Sequence, residues 1–168
     1  MAVITSAGTG NSNSGGTWTG GAVPDLTSDV QILNTHTVTL DTTHTWNSLF
    51  IADGGTLDGD NQELTIDGEN GLGYALSFAD ASVISGSDTD ITVTTAAATN
   101  ADMEAGTGTL RNLTINHASC VLTQVGALVL SGDLTITAGQ LSTGSNHALT
   151  VTGITTVGSG GTEAANSA

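Results

Sequence analysis

The sequence predicts an all-β chain, and three observations carry that prediction. The 168 residues include 23 glycines and a single proline, and only 10% of them are charged. Short segments rich in β-branched residues recur along the chain, each bounded by Gly, Asp, Asn or Ser. Helix signals are weak, because the best window, residues 96–108, allows one or two turns and ends in Gly-Thr-Gly.

Eleven segments show the alternation of apolar and polar residues that is typical of β-strands. In chain order they are VQIL (30–33), HTVTLD (36–41), LFIA (49–52), ELTI (63–66), SVIS (82–85), DITVTT (90–95), NLTIN (112–116), CVLT (120–123), ALVL (127–130), DLTIT (133–137) and ALTVTG (148–153). Residues 69–108 are less regular and could hold further turns of the same structure or an excursion from it.

One segment of the sequence occurs twice, in slightly different forms. GGTLDGDNQELTIDG, residues 54–68, returns in altered form as AGQLSTGSNHALTVTG, residues 138–153. The apolar positions shared by the copies are Leu57, Leu64 and Ile66 in the first and Leu141, Leu149 and Val151 in the second. Such a recurrence favours a β-solenoid, or parallel β-helix, in which short strands and Gly-rich corners stack turn upon turn. A β-sandwich or jelly roll is the alternative, since strand propensity alone also produces irregular repeats.

The pattern divides the chain into three segments. Residues 1–16 are predicted to be an N-terminal docking arm, 17–157 a β-rich repeat domain, and 158–168 a C-terminal tail. In the arm, Val3 and Ile4 precede a Gly- and Ser-rich stretch, and we expect these two residues to dock onto a neighbouring molecule. The N terminus lacks the basic region and continuous apolar stretch of a signal peptide, and no apolar run reaches the length of a membrane span.

The charge of the chain excludes several kinds of partner. There are 16 acidic residues against one basic residue, Arg111, which gives a formal net charge of −15. Binding to nucleic acid requires several Lys or Arg residues that displace counterions, so no nucleic-acid partner is predicted. An anionic membrane surface is excluded for the same reason.

Four aspartates near the first copy of the repeat are weak candidates for calcium binding: Asp53, Asp58, Asp60 and Asp67. The segment lacks the ligand order and the closing glutamate of a calcium loop, and the second copy replaces these acids with Ser, Thr and Asn. The four aspartates are therefore better interpreted as solvated turn residues. We predict no metal site, and no cofactor, because phosphate-binding loops are missing from any strand-turn-helix context.

Other reactive side chains favour structural roles. His36 and His44 frame a predicted strand with Asp41 between them, but neither has the spacing of a metal ligand. Cys120 lies in an apolar segment and is expected to be a small buried side chain. Aromatic residues, which sugar-cleaving sites use to stack their substrates, make up only 3% of the chain, so an enzyme is not predicted.

Residues 15–68 resemble the opening of many bacterial and phage parallel β-helix surface proteins. The residues that carry this resemblance are Trp18, Pro24, Asp29, Val30, Ile32, His36, Val38, Leu40, Asp41, Leu49, Ile51, Leu57, Leu64, Ile66 and Gly68. Residues 110–153 are similar to the turns of repeat-rich bacterial adhesins. The resemblance implies a coiled parallel-β wall. Such families include adhesins, tail spikes, fibres and particle-coating proteins.

The chain is short for an adhesin, and this favours a structural virion protein. We expect a phage capsid decoration (cement) protein or head fibre that assembles in the host cytoplasm and coats the particle exterior. The expected partners are the major capsid protein or another virion protein, and copies of the chain itself in a homotrimer. The alternatives are a receptor-binding module of a tail fibre, tail spike or bacterial surface adhesin and, third, a polysaccharide-degrading enzyme.

Overall fold

The chain folds as a β-solenoid of about six turns built from parallel strands. The computed structural model describes residues 1–79, 82–85, 88–95, 100–103, 109–124, 126–144 and 147–164. All strand pairs in these ranges are parallel, apart from an isolated antiparallel bridge between Ser6 and Trp18. The predicted solenoid is therefore confirmed, and the sandwich alternative is wrong because its neighbouring strands would run antiparallel.

The strands are short in the first turns and longer in the last ones. In chain order they are β1 (Ala2–Thr5), β2 (Gly10–Asn11), β3 (Ser28–Ile32), β4 (Thr37–Thr39), β5 (His44–Trp46), β6 (Ser48–Ile51), β7 (Thr56–Asp58), β8 (Glu63–Ile66), β9 (Leu76–Phe78), β10 (Val83–Ser85), β11 (Asp90–Val93), β12 (Asn100–Met103), β13 (Asn112–Gln124), β14 (Leu128–Leu130), β15 (Leu134–Ser142), β16 (Leu149–Val151) and β17 (Thr155–Ala164). Two 3-10 turns, Gly15–Thr17 and Thr19–Gly21, lie between β2 and β3.

Most strands form three faces around a common core, and β14 and β16 pair in a separate two-stranded sheet. The first face stacks β1, β3, β6 and β9, the second β2, β4, β7 and β10, and the third β5, β8, β11, β13, β15 and β17. The strands β13, β15 and β17 are long because each continues around a corner. Thus residues 112–115 of β13 pair with β11, while residues 121–124 pair with β12 after a break in register.

The core is a set of apolar columns that run along the solenoid. One column on the third face places five side chains in register from turn to turn: Trp46, Ile66, Val93, Ile115 and Ile136, all buried. Because successive residues of a strand point to opposite sides, the preceding positions face outward. Those positions are Thr45, Thr65, Thr92, Thr114 and Thr135. Each fully buried aliphatic side chain contributes about 1.5–3 kcal/mol.

The two terminal segments and the window 96–108 contain β-strands among the described residues. Residues 1–16 contain β1 and β2, and β1 pairs with β3 as part of the first face. At the other end, β17 extends through Ala164, so that it covers most of the segment 158–168 that was predicted as a tail. Docking of the first segment onto a neighbour stays a prediction. The part of the window 96–108 that the structure describes is a strand, β12, and the rest lies outside the described residues.

Candidate functional site

A shallow groove lies on the outer surface of the first face, near the N-terminal end of the solenoid. One side is formed by β1 and carries Val3 and Met1, and the other by the loop after β8, which carries Leu72. These three side chains are 59%, 81% and 82% exposed, respectively. Three large apolar side chains that face solvent around one depression indicate a contact surface.

The loop opposite β1 is held by a single asparagine. The side-chain oxygen of Asn70 accepts hydrogen bonds from the backbone N–H groups of Leu72 and Tyr74, at 2.9 and 3.1 Å. The backbone N–H of Asn70 donates to the carbonyl of Tyr74 at 2.9 Å, which closes the turn. Asparagine often closes turns through such bonds to its own backbone neighbours. The Asn70 turn thereby holds Leu72 at its tip, beside the groove.

The floor of the groove contains a buried carboxylate. Asp29 on β3 lies in register between Val3 on β1 and Ser48 on β6, and it is only 7% exposed. Its Oδ1 atom accepts hydrogen bonds from the side-chain Nδ2 of Asn47, at 2.6 Å, and from the hydroxyl of Ser48, at 2.8 Å. The Asp29 side chain is thus oriented by two donors from the following turn. Phe50, two residues after Ser48, also lines the groove.

The two predicted docking residues lie on opposite sides of the wall. Val3 is exposed and lines the groove, whereas Ile4 points inward and packs, partly buried, against the core. Strand alternation requires this separation, because neighbouring residues of β1 cannot face the same side. Only Val3 of the pair is therefore available to a partner without unfolding β1.

The four calcium candidates do not form a metal site. In the part of the chain that the structure describes, no three His, Cys, Asp or Glu side chains are close enough to hold a metal ion. Asp53 and Asp60 lie in the two corners that flank β7, and Asp58 ends that strand. Asp67 follows β8, and its carboxylate accepts a hydrogen bond from the Thr94 hydroxyl at 2.7 Å. Calcium binding by these residues has no support in this arrangement.

A serine, a histidine and an aspartate meet near the first turn, but their geometry is not that of a nucleophilic triad. The hydroxyl of Ser12 donates to Oδ1 of Asp41 at 3.0 Å and lies 2.7 Å from Nε2 of His44. Ser12 has one hydroxyl proton, and with that proton on Asp41 it is Nε2 of His44 that carries a proton and donates to Ser12. A catalytic serine needs the reverse order, with its proton directed at the imidazole. Ser12 is also fully buried.

The electrostatics of this cluster fit a structural role. Burial lowers the pKa of His44, against the opposing effect of the Asp41 charge, so the ring is neutral near pH 7. Burial acts to raise the pKa of Asp41, but hydrogen bonds from the Asn13 N–H and the Ser12 hydroxyl outweigh it and lower the value. His36 likewise lies 2.8 Å from the hydroxyl of Ser6. Both histidines thus tie the first turn to the second.

Cys120 and Arg111 are also buried or engaged. Cys120 is 1% exposed, as the sequence predicted, and burial raises the pKa of its thiol to about 11. Arg111 contacts the Asp90 carboxylate through Nε and Nη2, at 2.8 and 2.7 Å, and donates from Nη1 to Asn61. The hydrogen bond to Asp90 raises the pKa of this guanidinium further. The groove beside Val3 is therefore the surface that we consider for function.

Comparison with known proteins does not identify a relative. No protein-family model matches the chain, no curated protein matches its sequence and no solved structure matches its fold. Over the ranges that the structure describes, no helix is long and apolar enough to cross a membrane. The fold itself therefore defines the class, which is that of the β-solenoid proteins.

The sequence predicted one residue of the groove, Val3, and missed Asp29, Phe50 and Leu72. The signal for Asp29 was present, because it alternates with the inward-facing Val30 and Ile32 and therefore lies on the outer side of the strand. Leu72 gave no signal, since its exposure depends on the Asn70 turn in a segment without regular alternation.

Proposed function

We propose that this protein is a structural component of a phage particle, a capsid decoration (cement) protein or head fibre that stabilises the particle exterior. The sequence resemblance to bacterial and phage β-helix surface proteins supports this function. The solenoid supports it as well, because parallel strands paired on every turn form a continuous wall with a single core. Such a wall offers broad faces, which suits a protein that covers a surface.

The observation that carries the proposal is the position of the exposed apolar side chains. Eight large hydrophobic residues are exposed in the part of the chain that the structure describes, and three of them, Met1, Val3 and Leu72, surround one groove. The other five lie outside the groove, on a surface that is otherwise rich in Thr, Gly, Ala, Asn and Asp. A cluster of exposed apolar side chains around one depression is typical of a site that a partner covers.

The proposed partner at this groove is the major capsid protein or another virion protein, and the proposed assembly is a homotrimer. With a formal net charge of −15, copies of this chain repel each other in solution. Contact with a particle that supplies apolar and basic groups would offset this repulsion. The groove near β1 would then be the attachment point, with the rest of the solenoid projecting from the particle surface.

The first test is the copy number of the protein in purified particles of the phage that encodes it, measured by quantitative mass spectrometry. We expect a number close to that of the major shell subunit, as for a decoration protein, or a smaller symmetric number for a head fibre. A few copies per particle would assign the protein to a tail fibre or tail spike. Absence from particles would refute the proposal.

The second test asks whether the groove is the attachment point. We expect Val3→Asp to abolish rebinding of the purified protein to particles that lack it, because the change places a charge in the apolar contact. Val129→Asp is the matched control, since Val129 is also exposed but lies on β14, outside the groove. Equal rebinding by both variants would exclude the groove as the docking site.

A further inference from the structure

The groove contains a carboxylate whose hydrogen bonding is only half complete. Asp29 is more than nine-tenths buried, and both of its hydrogen bonds, from Asn47 and Ser48, are made by Oδ1. Within the part of the chain that the structure describes, its second oxygen, Oδ2, accepts no hydrogen bond. Asp29 lines the groove and keeps a small exposed fraction, and Oδ2 is not among the buried atoms that lack a partner, so it is open to a molecule in the groove. A carboxylate oxygen in this position can accept charge-assisted hydrogen bonds from a cationic side chain.

The surroundings of Asp29 define what kind of cation fits. Val3, Phe50 and Leu72 supply apolar contact around the carboxylate, and Glu69 adds a second acidic side chain at the edge of the groove. The cavity measures about 190 Å³, far more than the roughly 10–15 Å³ that a single water needs. A small hydrated ion would leave the apolar walls unused. A side chain with an apolar stem and a cationic head would contact the apolar walls and the Asp29 carboxylate together.

A second copy of the chain offers no unengaged Lys or Arg side chain for this position. Its only Lys or Arg residue is Arg111, whose guanidinium already contacts Asp90 and Asn61. The strong negative charge of the chain also favours a basic molecule over a second copy. The occupant is therefore a different, basic protein.

We propose that the groove binds an extended segment of a basic protein, with one arginine side chain on Asp29 and its apolar neighbours on Val3 and Leu72. Arginine fits better than lysine because its planar guanidinium pairs with a carboxylate through two N–H groups and stacks on an aromatic ring, here Phe50. This inference rests on the proposed function, in which the same groove attaches the protein to a particle, and it specifies the chemistry of the partner.

The test uses the full chain and a defined probe, the peptide Ser-Val-Arg-Leu-Ser with blocked ends, titrated and followed by two-dimensional NMR. We expect shifts of the Val3 and Leu72 backbone amides and of the Asn47 side-chain amide. The same peptide with citrulline in place of arginine keeps the shape and loses the charge, and it should bind about tenfold or more weakly. Equal binding of the two peptides, shifts confined to other faces, or no shift at millimolar peptide would overturn the proposal.

Asp29→Asn tests the carboxylate itself. The asparagine oxygen can still accept the bonds from Asn47 and Ser48, so the fold is retained while the charge is lost. We expect the Kd of the arginine peptide to rise about tenfold or more. Asp58→Asn, which removes one charge from the second face, should leave the Kd within about twofold. Should Asp29→Asn fail to fold, Leu72→Ser replaces a side chain that is 82% exposed and must also weaken binding.

The two proposals fail in distinguishable ways. If Val3→Asp abolishes rebinding to particles while Asp29→Asn rebinds normally, the docking site stands and the arginine contact is wrong. If the wild-type protein is absent from particles but binds the arginine peptide through Asp29, the virion function is wrong and the groove is a peptide site of another kind.

Discussion

Replacing Trp18 by alanine should open the N-terminal end of the solenoid. The Trp18 ring is 2% exposed and packs edge-to-face on Trp46, with ring centres 6.0 Å apart. Its Nε1 also donates to the backbone carbonyl of Ser12 at 2.8 Å. Truncating a buried tryptophan to alanine costs about 3–5 kcal/mol of unfolding free energy. For a chain of this size each kcal/mol lowers Tm by about 2–4 °C, so we expect a loss of roughly 6–20 °C.

The location of this loss is as informative as its size. Each turn of a solenoid contacts only its neighbours, so the damage should concentrate in β1 and β2 and spare β13 to β17. Thermal unfolding followed by circular dichroism measures the size, and hydrogen exchange with mass spectrometry measures the location. Trp18→Phe, which keeps most of the apolar contact but loses the bond to Ser12, should cost only about 1–2 kcal/mol. A loss below about 1 kcal/mol for the alanine variant, or uniform loss of protection along the chain, would refute the reasoning.

Three further predictions concern other parts of the fold. Burial lowers the pKa of His44, so the contribution of this residue to stability should be complete above the usual value of 6.5 and decline as the pH falls through the folded pKa. The free energy of unfolding in urea should therefore fall between about pH 7 and 5, and His44→Gln should reduce that fall. Gly139 has φ +98°, and an added Cβ would meet the carbonyl oxygens of His117 and Cys120. Gly139→Ala should therefore lower the free energy of unfolding by about 1–3 kcal/mol in the same assay, and an unchanged urea midpoint would contradict this. Cys120, with its thiol pKa near 11, should resist iodoacetamide in the native state and react in urea, and rapid native labelling would show that the site opens.

The alternation of residues allowed most strands to be predicted. Each of the eleven predicted segments overlaps a strand of the structure, and β13 joins two of them. The strands that were missed are short or poor in apolar alternation, such as β2 and β5. β17 was missed for a different reason, because its Gly-rich sequence has little strand propensity and is held by pairing with β15.

Of the candidate site, the sequence predicted only the residue that a local pattern could indicate. An apolar residue near the N terminus suggested a contact at Val3, and the structure leaves that side chain exposed. The groove also needs Asp29, Phe50 and Leu72, which come from separate turns of the solenoid. No local pattern brings these residues together, because their proximity depends on the parallel register of β1, β3 and β6.

The sequence by itself determined that the chain is all-β and which residues of each strand face the core, because strand alternation is a local property, and its repeat favoured a solenoid. Only the tertiary structure decided which face each repeat occupies. Leu49 and Ile51, which precede the first copy, belong to the first face, whereas Leu134 and Ile136, which precede the second copy, belong to the third. The faces share the same Leu-x-Ile pattern and the turns differ in length, so sequence alignment cannot distinguish them. Backbone pairing with the adjacent turn sets the register, and that pairing exists only in the folded chain.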